Sequence, residues 1–501
     1  MWKRIKHKRK GIIMSKYVCS ICGYIYDEEK EYRKMGELGD SWSCPMCGVQ
    51  KSLFDELVVE KIKKTNTSIL VDKNNPAIEK IENKCNNCGA CVEACEKLEG
   101  IHKKEEKQII CVYCGQCVQA CKMDALIPKR EAEKLEKAKK EGKICIAYMA
   151  PAVRVAIGEA FGMEYGTFAQ GKLVSALKQI GFEYVFDVTF GADLTVMEEA
   201  SELIERLDQN QNLPMFTSCC PSWVKYAEIF YPEIMNHLST CKSPIGMQGQ
   251  MVKNYFCEKN NLDKSNVYTV AITPCTAKKY EIQKDDGTDL VLTVTEIIEI
   301  IKNRKIDFKN LADSEFDKIL GEGSGAGMIF GSTGGVMEAT LRTAYYLLTN
   351  TDLEKDKIEF KAVRGTKNVR EAEIKIKDTT LKVAIIHKMA DAKKILEEVK
   401  NGTSKYHFIE VMNCEGGCIG GGGQPKLDET KAQELKQKRM QALYQKDKQE
   451  QIRCSYQNPE ITALYQDYLG HPLSGKAEKL LHRGRFLLSQ NDSLGTHLVG
   501  R

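Results

Sequence analysis

The spacing of the cysteines constrains this chain more than any other feature. The 21 cysteines include two Cys-x-x-Cys pairs, Cys19/Cys22 and Cys44/Cys47. A four-cysteine run follows twice, at Cys85, Cys88, Cys91, Cys95 and at Cys111, Cys114, Cys117, Cys121. Three scattered segments come last: TSCCPSW (217–223), TPCTAKKYE (273–281) and NCEGGCIGGGGQP (413–425). Twelve of the 21 cysteines stand in tight ligand spacings. A single disulfide bridge does not explain runs of three cysteines two residues apart, so the pattern reads as metal binding in a reducing compartment. The first two blocks can hold iron in thiolate cages and pass electrons, and the third is where electrons would be used.

At 501 residues more than one domain is expected. The formal charge of +5 is misleading, because Lys3, Arg4, Lys6, Lys8, Arg9 and Lys10 sit in residues 1–13 without an acid. Without those six the remainder is at about −1, which excludes a general basic face for nucleic acid. The leader lacks the apolar core of a secretory signal, and no 18-residue apolar window predicts a membrane span. Met14 opens the stretch MSKYVC and reads as the true start, with residues 1–13 a disordered upstream extension. A compact unit is expected over 14–60 and a linker over 61–78, with a short strand at 68–71. The duplicated motif, offset by 26 residues, occupies 79–130. A charged helical connector covers 131–143. From Ile144 short apolar runs (ICIAYMA, YVFDV, PMFTS, VYTVAI, KVAII, FIEVM) appear, the first three each followed by a helical pattern near 152–161, 193–209 and 221–230. That texture predicts α/β architecture with parallel sheets over 143–430. A helical region is expected over 431–485 and a patternless tail over 486–501.

In the first unit each Cys pair forms a knuckle, the following glycine letting amides turn toward sulfur. Four thiolates from Cys19, Cys22, Cys44 and Cys47 suit zinc or a single iron. The flanking CGYIYD and WSCPMCGVQKSLF resemble rubredoxin, with a shortened spacer, and the resemblance implies mononuclear iron beside a small aromatic core of Tyr24, Tyr26, Trp42 and Phe54. In the repeat, three cysteines on one turn fit three corners of a cubane and the fourth comes from the other repeat. Cys85, Cys88, Cys91 and Cys121 would bind one [4Fe–4S] cluster, and Cys111, Cys114, Cys117 and Cys95 the other. This resembles the bacterial two-cluster ferredoxin, although Glu96 and Lys122 stand where proline is usual.

The three downstream segments resemble the signature segments of [FeFe]-hydrogenase, supported by MAPAVR (149–154), FGADLTVMEEA (190–200), STCKSP (239–244) and SGAGMIFGSTGGVMEA (324–339). The region after 430 resembles that family's small subunit. The resemblance implies an H-cluster: a [4Fe–4S] cubane joined to a two-iron unit carrying CO, cyanide and a dithiolate amine. It implies Cys220, Cys275, Cys414 and Cys418 as cubane ligands, with Cys418 bridging to the two-iron unit. Lys278 would donate to a cyanide, Ala150, Pro151, Ala152, Ser243 and Pro244 would line the diatomic ligands, and Phe330 would pack against the metals. Cys219 would pass protons, with Glu199, Ser239 and Glu202 completing a path to the surface. By residues alone, Glu199 and Glu202 are three apart on a helix face, and Arg206 stands within reach of Glu202. Such a pair is ordinarily a solvated face.

Thr273, Ile245, Asn413 and Glu415 depart from the common family forms, which bears on rate and bias. The glycine run GEGSGAG (321–327) lacks the Gly-Lys-Ser/Thr ending of a P-loop, and no placed dinucleotide fingerprint occurs. His387 and His407 read as packing or surface residues, and Cys145, Cys241, Cys257 and Cys454 as small apolar ones. The expected enzyme is cytoplasmic and interconverts dihydrogen with protons and electrons, using an external redox protein such as a ferredoxin and the family's maturation proteins as partners. The rivals are a slow redox or dihydrogen sensor, an iron–sulfur assembly scaffold without the two-iron unit, and a plain multi-cluster electron carrier.

Overall fold

The computed structural model describes residues 16–19, 25–31, 33–39, 41–57, 68–101, 110–285 and 287–484. The leader, Cys22, Tyr24, residues 58–67 and the tail from 485 lie outside the described residues. The chain divides into two compact units, with the border between Thr65 and Asn66, inside the expected linker.

In the first unit Lys16–Cys19 is the central strand of an antiparallel sheet, flanked by Ile25–Asp27 and Phe54–Leu57. Trp42 stands edge-on to both Tyr26 and Phe54, with ring centroids 5.4 and 5.3 Å away. This aromatic cluster takes the place of a core that so short a chain cannot otherwise build.

The second unit contains two four-stranded sheets. In one, Leu290–Thr293, Val267–Thr273, Ile144–Met149 and Tyr184–Asp187 lie side by side, all parallel. Helices and turns cover both faces, so its strands are nearly unbroken apolar runs. In the other, Thr379–His387, Phe408–Met412 and Met215–Phe216 run parallel, and Val369–Ile376 adds an antiparallel edge that the apolar runs did not announce. A separate two-stranded ribbon, Ile78–Lys80 with Leu126–Pro128, closes the duplicated cysteine region. Its two helices, Ala90–Glu99 and Gln116–Ala120, each start after a left-handed glycine, Gly89 and Gly115, which is the repeat written in backbone.

Two local expectations fail. Residues 68–71 carry no strand. The stretch 152–161 breaks into the 3-10 turns Pro151–Val153 and Ile157–Phe161 instead of one helix. Its residues 152–157 are buried all round, and Arg154 turns inward to grip Asp187 with two bonds of 2.7 and 2.9 Å. An amphipathic helix has no wet side to offer there. Asp187 also caps the long helix Val188–Gln209 by accepting from the Thr189 amide, and Asn210 ends it in the left-handed conformation.

The topology positions the chemistry. Strand Ile144–Met149 runs straight into Ala150-Pro151-Ala152, and Val267–Thr273 into Pro274-Cys275. Strand Met215–Phe216 runs into the segment with Cys219 and Cys220, and Phe408–Met412 into Asn413-Cys414. Ligand sites in parallel sheets form at the carboxyl ends of strands, and four of the expected site segments leave such ends.

Candidate active site and iron–sulfur centres

Cys220, Cys275, Cys414 and Cys418 come together. Burial raises all four thiols, Cys275 to about 12, and the nearby Cys220 adds to that rise. Cys414 is raised well above the usual thiol range by burial and then by Cys275, Cys220 and Cys418. Cys418 is raised by burial and then by Cys275 and Cys220. Each is held by local structure. Cys220 caps the helix Pro221–Phe230, with proline at its first position, and the amides of Asn413, Trp223 and Ser222 favour its thiolate against burial. The loop from Cys414 to Cys418 turns through Gly416 and Gly417 at φ +82° and +90°. A Cβ on Gly417 would lie 2.6 Å from the Thr333 nitrogen. Gln116 of the duplicated region donates to Cys414 Sγ at 3.2 Å and to the Gly420 carbonyl at 3.0 Å.

Around this point lie the remaining expected residues. Phe330, Cys219 and Cys220 share an apolar cluster with Ala192, Val196 and Met412. Ala152 and Cys418 share another with Met328 and Ile419. Lys278 Nζ donates to the Cys219 carbonyl at 3.0 Å and to Glu281 at 2.7 Å. Ser243, which precedes Pro244 at the start of helix Pro244–Met251, donates to the same Glu281 oxygen at 3.0 Å. Arg483 holds the other oxygen at 2.7 Å. Ile245 and Thr273 are buried, and the Thr273 hydroxyl closes a turn on Cys275.

The glutamate pair is buried, not solvated. Glu199 is 1% exposed and Glu202 is 6%. Burial lifts the Glu199 carboxyl to about 8, the Glu202 and Glu410 charges add to the rise, and Ser239 and Thr340 oppose it. The Ser239 hydroxyl donates to Glu202 at 2.7 Å, and Glu202 also accepts from Arg206 at 2.7 Å. The Cys219 thiol is raised well above its usual range by burial and by Glu199, with Lys278 opposing. Cys219, Glu199, Ser239 and Glu202 are thus all buried, with Glu199 near enough to act on Cys219 and to be acted on by Ser239.

The duplicated region contains two cavities. One is lined by Cys95, Cys111, Cys114 and Cys117. The other is lined by Cys85, Cys88, Cys91 and Cys121. The fourth cysteine of each repeat therefore faces the first three of the other. Gly115, at φ +72°, and Gly422 pack so closely that a Cβ on Gly115 would lie 2.9 Å from the Gly422 Cα. Only bare backbone lets the cysteine repeat approach the 413–425 segment this far. In the rubredoxin-like unit the sulfurs of Cys19, Cys44 and Cys47 lie within 4.8 Å of one another. The Cys44 amide bonds to Val49 and the Gly48 amide to Cys44, the turn expected of a knuckle.

Several functional neighbours carried no sequence signal. Fully buried Glu99, raised to about 7 by burial against the pull of Asn413 and Cys114, accepts from Asn413 at 2.7 Å. His387, expected as a packing residue, accepts from the Gly416 amide at 2.9 Å and so braces the Cys414–Cys418 loop. Both partners in each case are hundreds or tens of residues apart, which a single sequence does not connect.

The donor set fits iron–sulfur chemistry. Buried thiols that raise one another are stable as thiolates only when metal takes the place of their protons. The family model for the C-terminal domain of the iron-only hydrogenase large subunit matches residues 143–422, that for the iron hydrogenase small subunit 433–483, and that for rubredoxin 16–54. Iron hydrogenase 1 of Clostridium pasteurianum is 42% identical over 82% of this chain and 76% of its own length. A solved [FeFe]-hydrogenase HydA1 from Chlamydomonas reinhardtii superposes with a TM-score of 0.62 at 38% identity, covering 70% of this chain and 98% of that one. More distant is a cytosolic Fe–S cluster assembly factor of Danio rerio, 28% identical over 68% of this chain and 86% of its own. Fold and cysteine set together define an iron–sulfur oxidoreductase. The chain belongs to the iron-only hydrogenase family.

Proposed function

We propose that this protein interconverts dihydrogen with two protons and two electrons at the point where Cys220, Cys275, Cys414 and Cys418 meet. Those four would hold the cubane of an H-cluster, Cys418 would also reach the two-iron unit, and that centre supplies dihydrogen binding and redox chemistry when bound. The cyanide-facing donor would be Lys278, kept in place by Glu281. The walls would be Ala150, Pro151, Ala152, Ser243, Pro244 and Phe330, apolar or small, excluding water and fitting diatomic ligands by shape.

The observation that carries this reading is the buried file leading away from Cys219. At neutral pH Glu199 is held protonated in the fold, so it can donate toward Ser239. Ser239 donates on to Glu202. A hydroxyl between two carboxyls passes a proton by exchanging the bond it gives for the bond it takes. Cys219 stands at the inner end, where a thiol can take and return a proton. A scaffold without turnover has no use for such a file, and a plain electron carrier has none for the catalytic unit.

Electrons would enter or leave through two [4Fe–4S] clusters, one on Cys95, Cys111, Cys114 and Cys117 and one on Cys85, Cys88, Cys91 and Cys121. A single iron on Cys19, Cys22, Cys44 and Cys47 would exchange electrons with an external redox protein. No described helix is long and apolar enough to cross a membrane.

Infrared spectroscopy of anaerobically matured protein tests the centre: CO and cyanide bands are expected, and their absence after maturation favours the scaffold. Cys219→Ala tests the file. Turnover should fall by about two orders of magnitude or more with cluster spectra unchanged, and retained turnover would remove the thiol from the path.

A further inference from the structure

The outer end of the file presents a chemical difficulty. Glu202 rests on Arg206, and a guanidinium does not give up its proton. Arg206 is fully engaged as a brace, donating to Glu202 and to the carbonyls of Asn212, Asn236, His237 and Leu238. A proton reaching Glu202 needs a different group to carry it out.

The C-terminal region supplies one. Residues 481–483 lie along 240–242: Lys242 N donates to Leu481 O at 2.8 Å, and Arg483 N donates to Thr240 O at 2.7 Å. This pairing aims the His482 ring at the file. A His482 ring nitrogen, a Glu202 oxygen and the Cys241 sulfur lie within 4.8 Å of one another. The Nδ1 atom of His482 bonds the Thr240 hydroxyl at 2.7 Å, and Thr240 in turn gives its amide to Glu202 at 3.1 Å. Its Nε2 meets Glu198 at 3.0 Å. Glu198 is fully buried and accepts from the Tyr465 hydroxyl and the Leu473 amide, so it stands ready to balance a charge on the ring. The groups facing the imidazole are therefore Glu198, Glu202, Cys241 and Tyr465, while the adjacent Arg483 is committed to Glu281. The His482 side chain is 7% exposed, and Gly484, two residues on, is exposed.

We propose that His482 is the relay between Glu202 and bulk water. This rests on the proton route through Glu202 given above. In the uptake direction the Glu202 O–H bond breaks, an N–H bond forms on the imidazole, and the imidazolium passes a proton to solvent. In the evolution direction the same bonds are remade in reverse. No electron moves in either step. The small-subunit-like region is then part of the proton path as well as packing.

The test uses the full-length, matured enzyme with His482→Gln, His482→Ala, Glu202→Gln and His237→Gln. His482→Gln should slow turnover about tenfold or more and remove the histidine limb of the pH–rate profile, with infrared bands unchanged. Free imidazole should restore His482→Ala. In full-length protein carrying nitrogen-15 histidine, the resonance that disappears in His482→Gln should change its chemical shift in Glu202→Gln. Thr240→Val, which loosens the ring without removing it, should slow turnover in the same sense and provides the readout if the histidine variants do not fold. Wild-type rate and pH profile in His482→Gln, loss without imidazole rescue, an unmoved resonance, an unaffected Thr240→Val, or loss in His237→Gln instead would each overturn the relay. If Glu202→Gln keeps full turnover, the underlying route fails. If Glu202→Gln is slow while His482→Gln is normal, only the relay fails.

Discussion

Gln116 belongs to the cysteine repeat, yet its amide reaches a sulfur of the catalytic unit. It donates to Cys414 Sγ at 3.2 Å and is only 6% exposed, so no water replaces it if it is lost. A hydrogen bond to a charged group contributes about 1.5–3 kcal/mol. Thiolate sulfur bound to iron is electron-rich in both oxidation states and more so when reduced. Taking roughly half of the bond as the difference leaves ~1 kcal/mol favouring reduction. For one electron that corresponds to about 40 mV. Gln116→Leu keeps the volume and removes the donor, so the cubane on Cys220, Cys275, Cys414 and Cys418 should become harder to reduce by about that amount. The assay is a potentiometric titration followed by electron paramagnetic resonance, on protein carrying its [4Fe–4S] clusters but not the two-iron unit. That preparation separates the potential from turnover. A midpoint unchanged within ~10 mV, or one moved positive, would refute the assignment of Cys414 or the sign of the electrostatic argument.

Three further outcomes follow from buried groups. Glu199 titrates at about 8 in the fold against an ordinary value of 4.5, so the stability tied to its protonated form is complete below about pH 4.5 and is lost as pH rises through about 8. Glu199→Gln should accordingly gain thermal midpoint relative to wild type on going from about pH 6 to about pH 9, and a pH-independent difference counts against the buried acid. Gly417→Ala places a Cβ 2.6 Å from the Thr333 nitrogen at φ +90° and should cost about 1–3 kcal/mol, read as lost iron content with the rest of the fold retained in circular dichroism. Arg342 holds Glu338 at 2.7 Å and Asp447 at 2.8 Å with all three fully buried, so Arg342→Met should cost about 3–5 kcal/mol in thermal or denaturant unfolding, and a loss under ~1 kcal/mol would show that the cluster tolerates its own charge.

Much of this protein was legible from spacing. Metal-ligand chemistry needs several sulfurs close together, and a tight local motif such as Cys111-x-x-Cys114-x-x-Cys117 guarantees that in any fold containing the turn. Strand runs such as Ile144–Met149 were legible because a strand covered on both faces has to be apolar throughout. The antiparallel edge Val369–Ile376 was not, since its alternating polar residues resemble any exposed segment. The stretch 152–161 misled because its helical pattern ignores the inward pull of Asp187 on Arg154.

The identity of the iron-binding motifs was thus determined by the chain order of a few cysteines, prolines and glycines. Only tertiary structure decided what surrounds them: that Glu199 and Glu202 are buried acids, that Gln116 touches Cys414, and that His482 stands beside Glu202. The reason is physical. A local motif fixes distances through covalent geometry, whereas desolvation and hydrogen bonding between residues 37 to 298 positions apart exist only once the core has closed around them.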